Sequence, residues 1–290
     1  MWLRLAFCVL VFFPPTLLQA APAAVVEGAQ LPAWFMRDGN RLPLAIGTEL
    51  RSSDEIVTGA NSRVLLRLGD GSVVKLGENG QLQLSALAQR PAQNLLSATL
   101  KVVAGAFRFT TGAVQRARAR RDITVQFPTI TAGIRGTDIW GKNLGDKEVL
   151  VLIEGKVTVT RAGDPPVEMK DALTYLQAPQ NGAATVEAVL MEQLKAWAAE
   201  TEIASGQGAI RKGGRWKLYL ASYDHQTEAL ALYDSLRRDG YPARILPQTG
   251  DDGKRYRVRI AGFPNEQEAI ALGTRLKDMH PSLEPMTSLK

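Results

Sequence analysis

Short alternating runs of apolar and polar residues fill the chain after residue 23, and glycine, asparagine or aspartate separates them. Residues 63–68 and 72–76 alternate on either side of Gly69-Asp70-Gly71, where an Asp-Gly pair supplies the positive φ angles of a tight hairpin. Turn signals recur about every 8 to 12 residues, as in a sandwich, barrel or solenoid of short strands. The pattern predicts an all-β domain over residues 24–180. Further predicted strands cover residues 81–84, 98–103, 106–109, 123–127, 148–153 and 156–160, the last two joined by a turn at Glu154-Gly155.

A helical period follows the β region. Over residues 186–203, apolar side chains that include Leu194 and Trp197 recur at helical spacing, and we expect Trp197 to pack this helix onto a neighbouring domain. Residues 204–214 are rich in glycine and basic residues, a composition typical of a flexible linker. The sequence therefore predicts a domain boundary at this segment.

Residues 215–290 follow the order strand, helix, two strands, helix, strand, which predicts a small α+β domain of βαββαβ type. The predicted elements are a strand at 216–220, a helix at 226–239, strands at 243–246 and 255–260 around a turn at 250–253, and a helix from 265 to about 277. Asn265 is the expected N-cap of this last helix, and Glu268 is placed to complete a capping box.

Strand alternation gives this small domain one face with chemistry of its own. In the first strand Lys217 and Tyr219 lie opposite the apolar positions, and in the later strand Arg257 and Arg259 do the same. Both amphipathic helices must cover the apolar side, so these four residues share the uncovered face. A tyrosine ring beside cationic donors can stack on a sugar and hydrogen-bond its hydroxyl and carbonyl oxygens. The simpler alternative is that they are solvated strand positions.

Composition excludes several classes of function. The 290 residues carry a net charge of +6, with one cysteine and two histidines, which leaves no disulfide framework and no multi-cysteine zinc site. Ser222, Asp224 and His225 are neighbours on one predicted loop, where a nucleophile, base and orienting group rarely assemble. We expect no enzyme, no metal and no cofactor. A basic-aromatic sheet also fits an RNA-binding module, but the RNP1 pattern is absent and no nucleic acid is expected.

The first 20 residues indicate the compartment. Arg4 precedes an apolar run over residues 5–13, and small residues follow Ala20, which is the layout of a signal peptide over residues 1–20. The apolar run is too short to span a bilayer, although an uncleaved anchor is the alternative. No later segment is long and apolar enough to cross a membrane, so we expect a soluble periplasmic protein with no transmembrane segment after cleavage. Cys8 would leave with the signal peptide.

The β region also carries family motifs, at residues 56–59, 61–63 and 68–77, in Thr131-Ala-Gly-Ile-Arg-Gly-Thr137 and at 149–159. The region resembles the FecR domain, and the run 131–137 is close to the TAGVRGT signature of that family. The resemblance implies a solenoid-like β fold in an exported protein, acting as scaffold or interaction module and open to a cell-envelope protein as partner. Arg135 and Gly136 fit either an anion-binding nest or, as we favour, a tight corner. The basic run 116–121 is expected to be a solvated loop, with contact to an anionic polymer as the alternative.

The C-terminal motifs are residues 216–223, Gly240-Tyr-Pro-Ala243, residues 256–263 and the acidic helix start at 265–269. They resemble the SPOR domain, a small peptidoglycan-binding module. Ala221 stands in place of the family's usual glycine, Ala261-Gly262 in place of Gly-Pro, and Tyr219 where glutamine is common.

The resemblance implies binding to peptidoglycan glycan strands stripped of stem peptides, and hence enrichment at division sites. Tyr219, Arg257 and Arg259 are the principal predicted contacts, Lys217 shares their face, and Ser222, Tyr223 and Phe263 are family-matched supports. The sequence thus predicts a non-enzymatic periplasmic cell-wall binding protein. The alternative is a FecR-type sensor whose C-terminal module docks a protein partner.

Overall fold

The computed structural model describes residues 22–90, 95–112, 120–250 and 253–289. The expected signal peptide, most of the basic run 116–121 and the centre of the turn at 250–253 lie outside these residues. The strands of the N-terminal region are β1 (Ala24–Gln30), β2 (Ala33–Arg37), β3 (Asn40–Pro43), β4 (Glu49–Leu50), β5 (Glu55–Thr58), β6 (Arg63–Leu68), β7 (Val73–Leu76), β8 (Gln81–Arg90), β9 (Leu95–Ala104), β10 (Ala106–Thr110), β11 (Arg120–Gln126), β12 (Ile130–Asn143), β13 (Lys147–Arg161), β14 (Val167–Met169), β15 (Thr174–Pro179) and β16 (Thr185–Ala188).

The chain continues with α1 (Met191–Ala199), β17 (Ala209–Arg211), β18 (Trp216–Tyr223), α2 (Gln226–Arg238), β19 (Arg244–Gly250), β20 (Gly253–Phe263), α3 (Glu266–Met279) and β21 (Met286–Leu289). None of the helices in the described part of the chain is long and apolar enough to cross a membrane.

The N-terminal strands form a 17-stranded sheet that curls into two layers. The first layer runs β3, β2, β5, β8, β9 and β11, then the start of β12, the end of β13 and β14. The second layer runs β17, β1, β6, β7 and β10, then the end of β12, the start of β13, β15 and β16. Alternate side chains of both layers fill one core, as Val64, Leu66 and Leu68 of β6 illustrate. The predicted all-β class of this region is confirmed.

The β12–β13 hairpin joins the two layers. Residues 148–153 and 156–160, predicted as two strands joined by a turn, are one strand, and that prediction was wrong. Gly155 has a φ of 93° and Gly136 faces it with a φ of 66°, while the pairing register slips between Arg135 and Asp138. A Cβ at Gly155 would lie 2.5 Å from the carbonyl oxygen of Gly136. The two glycines therefore allow a bulged bend that carries the hairpin from one layer to the other.

The helix after the β region is shorter than predicted, because residues 185–188 pair with β15 as the edge strand β16. Trp197 of α1 stacks on Trp140 of β12, with ring centroids 5.1 Å apart and planes 9° apart. Glu200 then pairs with Lys142 at 2.7 Å, and Glu202 contacts both Arg108 and Lys75. Aromatic stacking and ion pairs thus hold this segment against the outer face of the second layer.

Residues 204–214, whose composition predicts a flexible linker, contain β17 and pair with β1. The buried carboxylate of Glu268 on α3 accepts hydrogen bonds from the backbone N–H groups of Gly206, Gly208 and Ala209. A Cβ at Gly208, where φ is 74°, would lie 2.8 Å from the Cβ of Leu272. Glycine here permits the chain to approach a helix closely. A glycine-rich composition is the same for such a close contact and for a flexible linker, so it cannot distinguish the two.

The C-terminal domain has a four-stranded antiparallel sheet in the order β19, β20, β18, β21, with α2 and α3 packed on one face. Its core contains Leu218, Val258 and Ile260 together with Ala29 and Leu31 from the N-terminal region. The predicted α+β class is confirmed. Asn265 accepts a hydrogen bond from the Glu268 backbone N–H at 2.9 Å, so half of the capping box forms, while the Glu268 side chain binds residues 206–209 instead.

Candidate glycan-binding site

The uncovered face of the C-terminal sheet is shaped by an irregularity in β18. Tyr219 pairs with Arg259, but the next pairs are Ala221 with Val258 and Ser222 with Arg257, so the register shifts by one residue at Leu220. The bulge keeps Leu220 buried and turns Ser222 to the open face beside Arg257. The Arg257 guanidinium carbon lies 5.6 Å from the centroid of the Tyr219 ring, which is cation–π distance.

An open groove of about 660 Å³ runs along this part of β18. Strand β21 pairs with β18 only as far as Tyr219, and the Glu284 backbone N–H then donates to the Leu220 carbonyl at 3.3 Å. The groove therefore lies over β18, with β20 on one side and residues 282–288 on the other. The groove is lined by Tyr219, Ala221, Ser222, Tyr223, Arg255, Arg257, Ser282, Glu284, Met286, Thr287 and Ser288.

The groove brings together four of the predicted site residues, which are Tyr219, Ser222, Tyr223 and Arg257. Arg259 is the strand partner of Tyr219, and Lys217 is the strand partner of Ala261, but neither residue lines the groove. Phe263 is fully buried in the core, so its aromatic ring supports the sheet and does not meet a ligand.

Residues 282–288 form one wall of the groove, and the sequence did not predict that they would line a site. A final strand was expected, but its polar residues gave no signal that they would face Tyr219 and Arg257. Strand pairing between β21 and β18 is a tertiary contact, and it brings residues 286–288 beside Tyr219.

Cationic and hydrogen-bonding groups dominate the β20 side of the groove. Arg255 and Arg257 both line it, and Arg255 is 3.6 Å from the exposed Asp224. Burial, followed by the nearby charge of Glu228, raises the pKa of the Tyr223 phenol, so its hydroxyl remains a donor at neutral pH. Within the described ranges no group of three or more histidine, cysteine or acidic residues could hold a metal ion. The arrangement suits a neutral or anionic polar ligand with a flat face.

Fold and groove together define a protein with an all-β domain followed by a small α+β domain that carries an open groove. Residues 54–158 match the family model described as FecR protein, and residues 212–282 match the SPOR domain model. The chain therefore contains a FecR domain followed by a SPOR domain, which confirms the architecture that the motifs predicted. These domains are binding or regulatory modules of envelope-associated proteins, and the SPOR domain indicates peptidoglycan binding.

No curated protein matches the chain. Two crystal structures of a protein described as an anti-sigma factor from Parabacteroides distasonis ATCC 8503 are similar to it at a TM-score of 0.41. One, at 2.50 Å resolution, is 14% identical over 78% of this chain and 91% of its own. The other, at 1.65 Å, is 13% identical over 81% of this chain and 99% of its own.

Proposed function

We propose that this protein is a non-enzymatic periplasmic protein that binds the glycan strands of peptidoglycan through the groove beside β18. The observation that carries the proposal is the pairing of the Tyr219 ring with the Arg257 guanidinium in that groove. An aromatic ring offers an apolar surface to the flat face of a sugar, and a guanidinium donates several hydrogen bonds in a fixed geometry. The FecR domain acts as a scaffold or interaction module.

The same cations favour strands that have lost their stem peptides. In intact peptidoglycan the lactyl carboxyl group of N-acetylmuramic acid is consumed in the amide bond to the peptide. Its removal leaves a free carboxylate on every second sugar, and charge-assisted bonds from Arg255 and Arg257 are stronger toward such a group. Because stripped strands arise where the wall is cut for division, we expect enrichment of the protein at division sites.

Docking of the two domains leaves the groove accessible. The N-terminal region meets the helical side of the SPOR domain, where the Trp34 indole N–H donates to the Arg238 carbonyl and Arg275 donates to the Leu31 carbonyl. None of these residues lines the groove. A protein that carries both domains can therefore bind the wall without separating them.

Pelleting with purified sacculi tests the proposal on a chain that begins at residue 22. Arg257→Ala is expected to weaken retention about tenfold or more, because hydrogen bonds to charged groups contribute about 1.5 to 3 kcal/mol. Tyr219→Ala should have a similar effect through lost stacking, and Lys277→Ala, which removes a charge from exposed α3, is the matched control.

Wild-type protein that stays in the supernatant would contradict the proposal. Co-purification of a defined envelope protein, without sacculus binding, would instead favour a FecR-type sensor with a partner-docking module.

Export is proposed together with binding. Residues 1–20 are expected to be removed after Ala20. Mass spectrometry of the protein recovered from the periplasmic fraction checks this, because a chain that retains Met1 would indicate an uncleaved anchor.

A further inference from the structure

The two walls of the groove carry opposite charges. Arg255 and Arg257 stand on the β20 side, and Glu284 stands on the opposite wall. Glu284 has no counterpart among the residues that the sequence singled out for binding. An acidic side chain would repel an anionic ligand, so its position in this groove needs a physical explanation.

The position of Glu284 is fixed by its neighbours. Its own backbone N–H donates to the Leu220 carbonyl at 3.3 Å, next to the bulge. Leu283 is buried in the domain core, and Pro285 lies against Gly273 of α3, where an added Cβ would be 3.0 Å from the proline Cβ. The backbone that carries the carboxylate is therefore anchored on both sides.

The charges that face the groove are not neutralised across it. Among the described residues, the Glu284 carboxylate has no ion-pair or hydrogen-bond partner, and Arg257 forms no ion pair. Arg255 approaches only Asp224, and both side chains are more than half exposed. A ligand in the groove thus meets two cations on one side and an unpaired anion on the other.

Peptidoglycan strands differ in where they carry negative charge. A stripped strand has one lactyl carboxylate close to each muramic acid ring, and its other polar groups are hydroxyls and acetamido N–H groups that can donate to a carboxylate. A strand with stem peptides has lost the lactyl carboxylate and carries several peptide carboxylates on a branch that projects from the ring. The branch leaves from the lactyl group of the ring, and Glu284 is an acidic residue on the groove wall opposite Arg257.

We propose that Glu284 is a specificity-determining residue that disfavours peptide-bearing strands by repelling their carboxylates. This inference rests on the glycan-binding function proposed above. Repulsion acts over the Debye length, about 8 Å at physiological ionic strength, so a carboxylate inside the groove close to Glu284 lies within its range. Specificity then comes from a repulsive element facing the wrong ligand as well as from the attractive cations.

The test compares soluble glycan strands with and without stem peptides, by titration of the chain that begins at residue 22. Glu284→Gln is expected to leave the affinity for stripped strands within about twofold, because their lactyl carboxylate is paired with the arginines. It is expected to raise the affinity for peptide-bearing strands, whose carboxylates have no such partner, about fivefold. Glu192→Gln, an exposed position on α1, makes the same change of charge outside the SPOR domain and is the control.

Two further measurements separate charge from shape. The effect of Glu284→Gln should vanish at about 1 M salt, where the Debye length falls to about 3 Å. Strands whose stem-peptide carboxylates have been amidated should bind the wild-type protein more tightly than unmodified peptide-bearing strands.

The outcomes are distinguishable. An unchanged ratio of the two affinities in Glu284→Gln, with wild-type binding to stripped strands intact, would overturn the role of Glu284 and leave the proposed function standing. Wild-type protein that binds neither kind of strand would overturn both.

Discussion

Replacing Glu268 tests how the two domains are held together. Its carboxylate accepts three backbone hydrogen bonds, from Gly206 at 2.7 Å, Gly208 at 2.8 Å and Ala209 at 2.9 Å. The residue is only 5% exposed, so water cannot replace these bonds without a rearrangement. Glu268→Ala would leave three N–H groups without an acceptor, and Glu268→Gln would turn an amide donor toward one of them.

The magnitude follows from these contacts. A hydrogen bond to a charged group contributes about 1.5 to 3 kcal/mol, but bonds to one carboxylate are not additive. A buried N–H group left without an acceptor costs about 1 to 3 kcal/mol, and local relaxation lets some of the three find new partners. We therefore expect about 3 kcal/mol of destabilisation for Glu268→Ala and about 2 kcal/mol for Glu268→Gln, which retains one acceptor oxygen.

Chemical denaturation measures the free energy of unfolding, and hydrogen exchange measures the three amides directly. Exchange at Gly206, Gly208 and Ala209 should accelerate in both variants. Glu266→Ala, an exposed position on the same helical turn, is the matched control and should cost less than about 1 kcal/mol. Unchanged stability and unchanged protection of residues 206–209 in Glu268→Ala would refute the reasoning, and would restore this segment as a flexible linker.

Two other predictions concern buried charge and pH. Arg108 makes a two-pronged ion pair with Asp138 at 2.8 and 3.0 Å, so Arg108→Ala should destabilise the protein by about 3 kcal/mol in chemical denaturation. The double variant Arg108→Ala/Asp138→Ala should lose less than the sum of the single variants, and simple additivity would contradict the pairing. Burial raises the pKa of the Tyr241 phenol above its ordinary value of about 10. Folding then stabilises the protonated phenol, so the free energy of unfolding should fall as pH rises above about 10, and Tyr241→Phe should reduce that fall. An identical pH dependence in both proteins would exclude Tyr241 as its source.

Much of the fold is local in origin and could be read from the chain. Strand β6 was predicted with the bounds that it has, because Val64, Leu66 and Leu68 alternate with polar residues. The hairpin turn at Gly71, where φ is 82°, could be predicted from the Asp70-Gly71 pair alone, because glycine adopts a positive φ readily. The same alternation placed Tyr219 and Arg257 on one face of the C-terminal sheet, and the groove contains both.

Tertiary contacts decided the features that alternation cannot encode. Whether Gly155 makes a turn or a bend depends on Gly136 of the facing strand, and whether Gly208 is flexible depends on Leu272 and Glu268 of α3. The one-residue bulge at Leu220 likewise arises between strands, because a register shift belongs to a pair of strands and not to either sequence.

The candidate site divides in the same way. The sequence by itself determined the two domain families and the aromatic-cationic face of β18 and β20, since a side chain's face in a strand is set by its position in the run. Only the tertiary structure placed Glu284 across from Arg257, because the approach of β21 to β18 depends on long-range pairing and on the burial of Leu283. The contact between residues 282–288 and β18 gives the open sheet face a second wall, so the groove has cations on one side and an anion on the other.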